Sequence, residues 1–144
     1  MTYCGPPLAI RPAGLDDAGI VFQCWARHIR KLPPCSSWTA AELRDHMSRV
    51  TALLPRCTVA CNPAEPTQVY GFACADSSGL VLHMLYIRRP WRRHGIATEL
   101  LRALFGETLG RDTIYITHPT EGFRNHRARW RLKFNPWLAN LEAP

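Results

Sequence analysis

The feature that most constrains this chain is an apolar run that leads directly into a glycine-containing turn and a helix. Residues 80–87 read LVLHMLYI, with apolar side chains at both odd and even positions. Since successive strand residues face opposite sides of a sheet, this run predicts a central strand covered on both faces. RRPWRRHG follows, and apolar residues then recur at helical spacing from about Ile96 to Leu109, before Gly110. The pattern predicts a strand, a basic turn and a helix in immediate succession.

The rest of the chain predicts one mixed domain over residues 1–144. A length of 144 residues, 47% of them hydrophobic, fits one compact core. Thr39 and Glu42 have the spacing of a capping box, which predicts a helix start. The full predicted order is a strand at 8–12, a helix with Asp16 and Asp17 in its first turn, a helix after Thr39 that ends at Pro55, strands at 57–61, 68–75 and 80–87, a helix at 96–109, a strand at 113–117 and a helix at 122–134.

The turn between the central strand and its helix has the properties of an anion site. Free backbone N–H groups and the helix dipole favour negative charge at a helix N-terminus. Gly95 allows close approach of a ligand, Ala97 keeps the surface flat, and Thr98 adds a hydroxyl donor. Arg92 and Arg93 add long-range attraction. The sequence therefore predicts a diphosphate cradle, and it lacks the G-x-x-x-x-G-K-[ST] pattern of nucleotide hydrolysis.

Charge and cysteine usage narrow the class of protein. The formal net charge is +7, and only Lys31 and Lys133 of the 18 basic residues are lysines. Such a surface suits a phosphate-bearing cofactor, nucleic acid or an acidic protein face. The six cysteines form no C-x-x-C pair and none has zinc-ligand spacing with a histidine, so no metal site is expected. MTYCGPPLAI lacks the features of a signal peptide and no apolar run reaches membrane-span length, so a cytoplasmic protein without membrane contact is expected.

The motif Arg92-x-x-Gly95-x-Ala97, five residues after Ile87, resembles the acetyl-CoA-binding motif of the GNAT superfamily of N-acetyltransferases. The opening IRPAGLDDA is similar to the first strand and helix of that family, and the element order matches over nearly the whole chain. The resemblance implies an α/β (α+β) fold with a mixed, mostly antiparallel central sheet and helices on both faces. It also implies acetyl-CoA as co-substrate and acetyl transfer to an amine by direct attack in a ternary complex.

The resemblance further implies the residues that would bind acetyl-CoA. In the family the strand before the loop carries a bulge and parts from the next strand, and the pantetheine arm pairs with backbone groups there. The corresponding positions in this chain are Leu85, Tyr86 and Ile87. The diphosphate would bind backbone amides of Arg93, His94, Gly95, Ile96, Ala97 and Thr98, with Arg92 beside them. Asn125, in N-x-x-A, matches a helix asparagine that contacts the cofactor, or else caps a helix or faces solvent.

The candidate catalytic groups depart from the family pattern. His83, four residues before Ile87, could act as the base that deprotonates the amine, or could be a core histidine with a satisfied hydrogen bond. The family's usual proton donor is a tyrosine in the last helix, where this chain has Leu132 or, in a shifted register, Arg129. Tyr86, Tyr115, His118 or water would then protonate the leaving thiolate. A thiol with a pKa of about 8.5 leaves without a strong acid.

The carboxyl end supports a second hypothesis. Residues 135–144 allow at most one further strand, so the C-terminal end is short, and an exposed sheet edge there would favour a homo-oligomer or a larger assembly. Arg124, Arg127 and Arg131 recur at helical spacing, which fits nucleic-acid phosphates or a solvated face. The alternative is therefore a catalytically weak or inactive GNAT-fold protein that is a structural or binding component and contacts other subunits or nucleic acid. The acceptor stays open between a small-molecule amine, a peptide amino terminus and a protein lysine.

Overall fold

The computed structural model describes residues 3–29, 37–52, 54–75, 81–117 and 129–135. Within them the strands form a single sheet in the order β1-β2-β3-β4-β5-β6. The elements are β1 (Ala9–Pro12), α1 (Ala18–Ile29), α2 (Ala40–Ala52), β2 (Cys57–Asn62), β3 (Glu65–Ala75), β4 (Val81–Ile87), α3 (Ile96–Phe105), β5 (Ile114–Ile116) and β6 (Leu132–Phe134). Short 3-10 turns lie at Leu15–Asp17, Leu54–Arg56, Arg89–Trp91 and Gly106–Thr108.

The sheet is mixed, with its first four strands antiparallel and its last two parallel to β4. Neighbours β1 to β4 pair as a meander. β4 then pairs with β5 in parallel. α3 lies between these two strands in the chain and returns it along the sheet, so that β5 runs in the same direction as β4. The mixed, mostly antiparallel sheet that the family resemblance implied is confirmed. This order places the loop between β4 and α3 beside the middle of the sheet.

Two hydrophobic clusters lie on opposite faces of the sheet, with β4 between them. One contains Leu82 and Leu85 of β4 together with Leu100 of α3. The other contains Met84 of β4 and Trp25 of α1. Leu82, Met84, Leu100 and Trp25 are fully buried, and full burial of such side chains contributes about 1.5–3 kcal/mol each. The prediction of a central strand covered by helices on both sides is therefore confirmed.

The helix after the loop is shorter than its apolar pattern predicted. α3 ends at Phe105 rather than Leu109, and its C-terminal cap is Gly106 instead of Gly110. Gly106 has φ of 55° and ψ of −126°, a conformation that stops the helix and that glycine adopts without steric cost. A 3-10 turn then continues to Thr108, so Leu109 stays close enough to pack on the core.

The helix predicted at 122–134 is wrong where the structure describes it. Leu132–Phe134 is β6, which pairs in parallel with β5. Residues 118–128, and with them Asn125, His118, Arg124 and Arg127, lie outside the described residues. Arg131 has a positive φ of 56°, which interrupts any helix there. Leu132 is buried, whereas Phe134, two residues further along the strand, is 42% exposed.

Candidate active site

The corner between β4 and α3 presents an uncapped helix N-terminus. Gly95 is the N-cap residue, with φ of 86°, and the first helical bond joins Glu99 N to Gly95 O at 3.2 Å. No hydrogen bond within the described residues uses the N–H groups of residues 93–98, and no side chain caps the helix. Arg93, His94 and Gly95 are exposed. Because helix N-terminal amides carry partial positive charge, this corner can accept an anion from solvent.

Arg92 has a bracing role that the sequence did not predict. Its Nε donates to Ile87 O at 2.8 Å, and its guanidinium carbon lies 5.6 Å from the centre of the Tyr86 ring. These contacts tie the loop to the end of β4. Arg93 has φ of 68°, which turns the backbone sharply between Arg92 and Gly95. Arg92 thus holds the loop in place, while Arg93 next to it is exposed.

An amino-terminal arm, residues 3–8, packs against the back of this loop. A Cβ built on Gly95 would lie 3.6 Å from Tyr3 Cδ2, and one on Gly5 would lie 2.7 Å from His94 O. Tyr3 Oη donates to Pro6 O at 2.7 Å, and burial raises the pKa of Tyr3 above its usual range. The arm thus supports the loop. No motif predicted this contact, since nothing in the chain before β1 shows helical or strand periodicity.

β4 contains a bulge at His83. Cys74 pairs with Met84 while the next β3 residue, Ala75, pairs with Leu82, so His83 is the extra residue. His83 is 4% exposed, and its Nδ1 lies 3.1 Å from Thr117 Oγ1. The bulge in this strand is the one the family resemblance implied. The geometry of His83 is that of the core alternative, a buried histidine with a hydrogen-bonded partner.

Beyond the bulge, β4 extends past its described contacts with β5. The two strands pair at Val81 and Leu82, and Thr117 N donates to Leu82 O at 3.2 Å. Arg88 N donates to Tyr70 O of β3 at 2.8 Å. Since backbone groups alternate in direction along an antiparallel strand, those of residues 85 and 87 face away from β3. This is the strand segment at which the resemblance places the pantetheine arm.

Gly71 holds β3 and β4 in close contact beside this segment. It pairs with Ile87, and a Cβ at Gly71 would collide with Tyr86 O and lie 2.9 Å from Ile87 Cα. Only glycine permits such an approach. The close spacing fixes the position of the β4 backbone at Tyr86 and Ile87. A glycine inside a predicted strand was the available sequence signal for this contact.

A cavity of about 850 Å³ lies on the α1 face of the sheet and reaches the same part of β4. Its lining includes Tyr86, Arg88 and Arg89 from the end of β4 and the turn after it. Cys24 and Arg27 contribute from α1. This volume is within the range of small-molecule sites. Sequence analysis did not identify the cavity, because it forms between α1, β3 and β4, which are far apart in the chain.

An ion pair at the edge of the cavity joins β1 to the turn before α1. Asp17 accepts hydrogen bonds from Arg11 Nη1 at 2.7 Å, Arg11 Nη2 at 3.0 Å and Gly14 N at 2.7 Å. The Arg11 hydrogen bonds lower the pKa of Asp17, against burial, and the same pair raises the pKa of Arg11. Both groups therefore stay charged at neutral pH.

The floor of the cavity is a neutral thiol. Cys24 is 7% exposed, and burial raises its pKa. The charge of Arg27, a hydrogen bond with Tyr86 and the charge of Arg88 oppose that effect without overcoming it. The side chain of Tyr86 thus contacts Cys24 at the floor of the cavity, while its backbone belongs to the β4 segment that follows the bulge.

Of the candidate catalytic residues that the structure describes, only Tyr86 lines this cavity. His83 lies in the core, and half-buried Tyr115 lies on β5 outside the lining. In the part of the chain that the structure describes, no three His, Cys, Asp or Glu side chains are placed to hold a metal ion. No helix among those residues is long and apolar enough to cross a membrane.

The sheet order, the bulge in β4 and the loop at the start of α3 together define a GNAT-like α/β fold. No family model and no curated protein matches the chain. A GCN5-related N-acetyltransferase from Sphaerobacter thermophilus is 20% identical, with a TM-score of 0.49, and the match covers 72% of this chain and 34% of that one. A GCN5-related N-acetyltransferase from Rhodopseudomonas palustris is 20% identical, with a TM-score of 0.47, and the match covers 72% of this chain and 66% of that one. The PaiA N-acetyltransferase from Thermoplasma acidophilum in complex with coenzyme A is 14% identical, with a TM-score of 0.45, and the match covers 67% of this chain and 68% of that one.

This chain spans about a third of the Sphaerobacter protein and about two thirds of the Rhodopseudomonas protein. With identities of 20% or less and TM-scores below 0.5, these likenesses carry no argument about activity. The functional argument therefore rests on the geometry of this chain.

Proposed function

We propose that this chain is an N-acetyltransferase that uses acetyl-CoA as co-substrate. The observation that carries the proposal is the corner between β4 and α3. There, N–H groups of residues 93–98 have no acceptor among the described residues, directly after a bulged strand. A diphosphate suits this corner because several amides and the helix dipole converge on it without a competing side chain.

Acetyl-CoA would supply an activated acetyl group. In the transfer, the amine nitrogen forms a bond to the carbonyl carbon, the carbon–sulfur bond breaks, the amine loses a proton and the thiolate gains one. The described residues contribute binding and orientation. Gly95 and Ile96 begin the helix that binds the diphosphate, and the backbone at residues 85 and 87 faces the side on which the acyl arm would lie.

Tyr86 is the proposed proton donor to the thiolate. It is half-buried, it lines the cavity, and it lies beside the β4 segment after the bulge. A coenzyme A thiol needs only a weak acid, because its pKa is near that of cysteine, about 8.5. The amine would approach from the cavity, on the α1 face of β4.

Calorimetric titration of the purified chain with acetyl-CoA tests the proposal. Gly95→Glu adds a negative charge to the loop that would hold the diphosphate, and we expect micromolar binding to be lost. Gly110→Glu is the matched control. Gly110 has φ of 80° and a Cβ there would meet the Trp130 ring at 3.5 Å, while Gly95 has φ of 86° and the Tyr3 ring at 3.6 Å. The two variants therefore carry similar backbone strain and the same charge, and differ in position.

The titration has three informative outcomes. Binding that Gly95→Glu abolishes and Gly110→Glu preserves would support the transferase. No binding by the wild-type chain would contradict it and would favour the alternative, a catalytically silent GNAT-fold component. Equal loss in both variants would show that backbone strain, rather than repulsion of a diphosphate, removed binding.

A further inference from the structure

The cavity beside Tyr86 carries more positive charge than its carboxylates balance. Its lining includes four arginines and two aspartates. Arg11 and Asp17 neutralise each other through their 2.7 Å ion pair. Asp16 is the other carboxylate, and it is exposed. The three further arginines are Arg27, Arg88 and Arg89. The lining of the cavity therefore has an excess of guanidinium groups.

These three arginines have no carboxylate partner among the residues that the structure describes. Arg88 donates to Val69 O at 3.3 Å, which orients it without neutralising it. Arg27 and Arg89 are exposed and form no ion pair within the described chain. They come from different elements, α1 and the turn after β4, and meet at one cavity. A concave site lined by one sign of charge concentrates ligands of the opposite sign.

The field of these charges reaches the floor of the cavity. Arg27 and Arg88 both act to lower the pKa of buried Cys24, although burial dominates and raises it. Arg27, Arg88 and Cys24 line the same cavity. Val69, buried at 5% exposure, adds apolar lining. The cavity thus pairs an apolar floor with cationic walls.

We propose that the acceptor is a small amine that also carries an anionic group, a carboxylate or a phosphate, held by Arg27, Arg88 and Arg89. This inference rests on the proposed function. Arginine suits both anions because its planar fork donates two parallel hydrogen bonds. With the anion held at the arginines, the body of the acceptor would cover Cys24 while its amine reaches β4 at Tyr86. A cavity of about 850 Å³ holds a molecule of amino-acid size.

The test compares matched amines that differ in charge. Acetyl transfer is followed as loss of thioester absorbance with amino acids against their carboxamides, and with phosphoethanolamine against ethanolamine. We expect the wild-type chain to prefer one anionic class, which also identifies the anion. In Arg27→Gln and in Arg89→Gln, kcat/KM for that class should fall about ten- to a hundredfold through KM, since a charged hydrogen-bonded contact is lost. Arg44→Gln, an exposed arginine of α2 outside the cavity, should change nothing.

The failure of this inference is distinguishable from failure of the transferase proposal. Equal rates for anionic and neutral amines, or unaffected Arg27 and Arg89 variants, would overturn the inference and leave the transferase intact. A raised KM for acetyl-CoA in these variants would overturn it too, because the arginines would then serve the cofactor. If no amine is acetylated, calorimetry with the same amines decides. Saturable binding of an anionic member that weakens in both variants supports the site, and absence of binding overturns it.

Discussion

Replacing Asp17 with asparagine removes the carboxylate that joins β1 to the turn before α1. Asp17 is 3% exposed and accepts two hydrogen bonds from Arg11 and one from Gly14 N, each between 2.7 and 3.0 Å. An amide of the same shape retains one acceptor oxygen and presents an NH₂ group to the guanidinium. Removing one partner of a fully buried pair costs about 3–5 kcal/mol. The Arg11 side chain is 30% exposed and stays partly hydrated, so we expect about 2–3 kcal/mol.

The effect should depend on pH in a defined direction. The Arg11 hydrogen bonds lower the pKa of Asp17 in the folded state below its unfolded value, near 3.8. Unfolding therefore takes up a proton in this range, and the stabilisation is present above that unfolded pKa and is lost as the pH falls through the folded one. The wild-type chain and Asp17→Asn should differ fully at pH 7 and converge in acid, where Asp17 is protonated.

Urea unfolding and thermal unfolding, both followed by tryptophan fluorescence between pH 2 and 7, measure this difference. At pH 7 we expect the variant to melt roughly 5–10 °C lower, on a scale of about 2–4 °C per kcal/mol. Glu99→Gln is the control, since the Glu99–Arg102 pair lies on the surface and should contribute under about 1 kcal/mol. A difference for Asp17→Asn no larger than that of the control, or one that stays constant into acid, would refute the reasoning.

Three further predictions concern single side chains. Tyr86→Phe should lower kcat about a hundredfold, as expected for loss of a proton donor, without weakening acetyl-CoA binding in calorimetry. Tyr115→Phe is the control. Equal rates in the wild-type chain and both variants would contradict the role of Tyr86 as proton donor. Gly71→Ala should destabilise the domain by about 3 kcal/mol in urea unfolding, because its Cβ meets the β4 backbone; a change under 1 kcal/mol would contradict that contact. Thr39→Ala should cost about 1 kcal/mol by removing the cap of α2, whereas Ser48→Ala on the same helix should not.

Much of the architecture followed from local patterns. The unbroken apolar run of β4 placed it between two helical layers, since only a strand covered on both sides buries such a sequence. Thr39 and Glu42 form the predicted capping box at the start of α2, with bonds of 3.2 and 3.1 Å. Gly95 begins α3 with a positive φ. Each of these features depends on residues within one element or turn.

Predictions that depended on distant partners were weaker. The aromatic spacing of Trp130 and Phe134 fitted a helix, but β5 recruits Leu132–Phe134 as a strand through bonds such as Asn135 N to Ile116 O at 2.8 Å. Periodicity cannot report on a sheet edge that lies elsewhere in the chain. For the same reason, the sequence left His83 open between base and core residue, while the structure shows its contact with Thr117.

The sequence by itself determined the strand–loop–helix unit and its suitability for an anion, because the dipole, the left-handed glycine and the apolar periods are properties of contiguous residues. Tertiary structure alone decided where the cavity beside Tyr86 lies and which charges surround it. Arg27 and Arg89 are separated by one helix and three strands along the chain, and they meet only because α1 packs over the ends of β3 and β4. Packing brings these charges together in space, and amino-acid composition does not indicate which charges will meet.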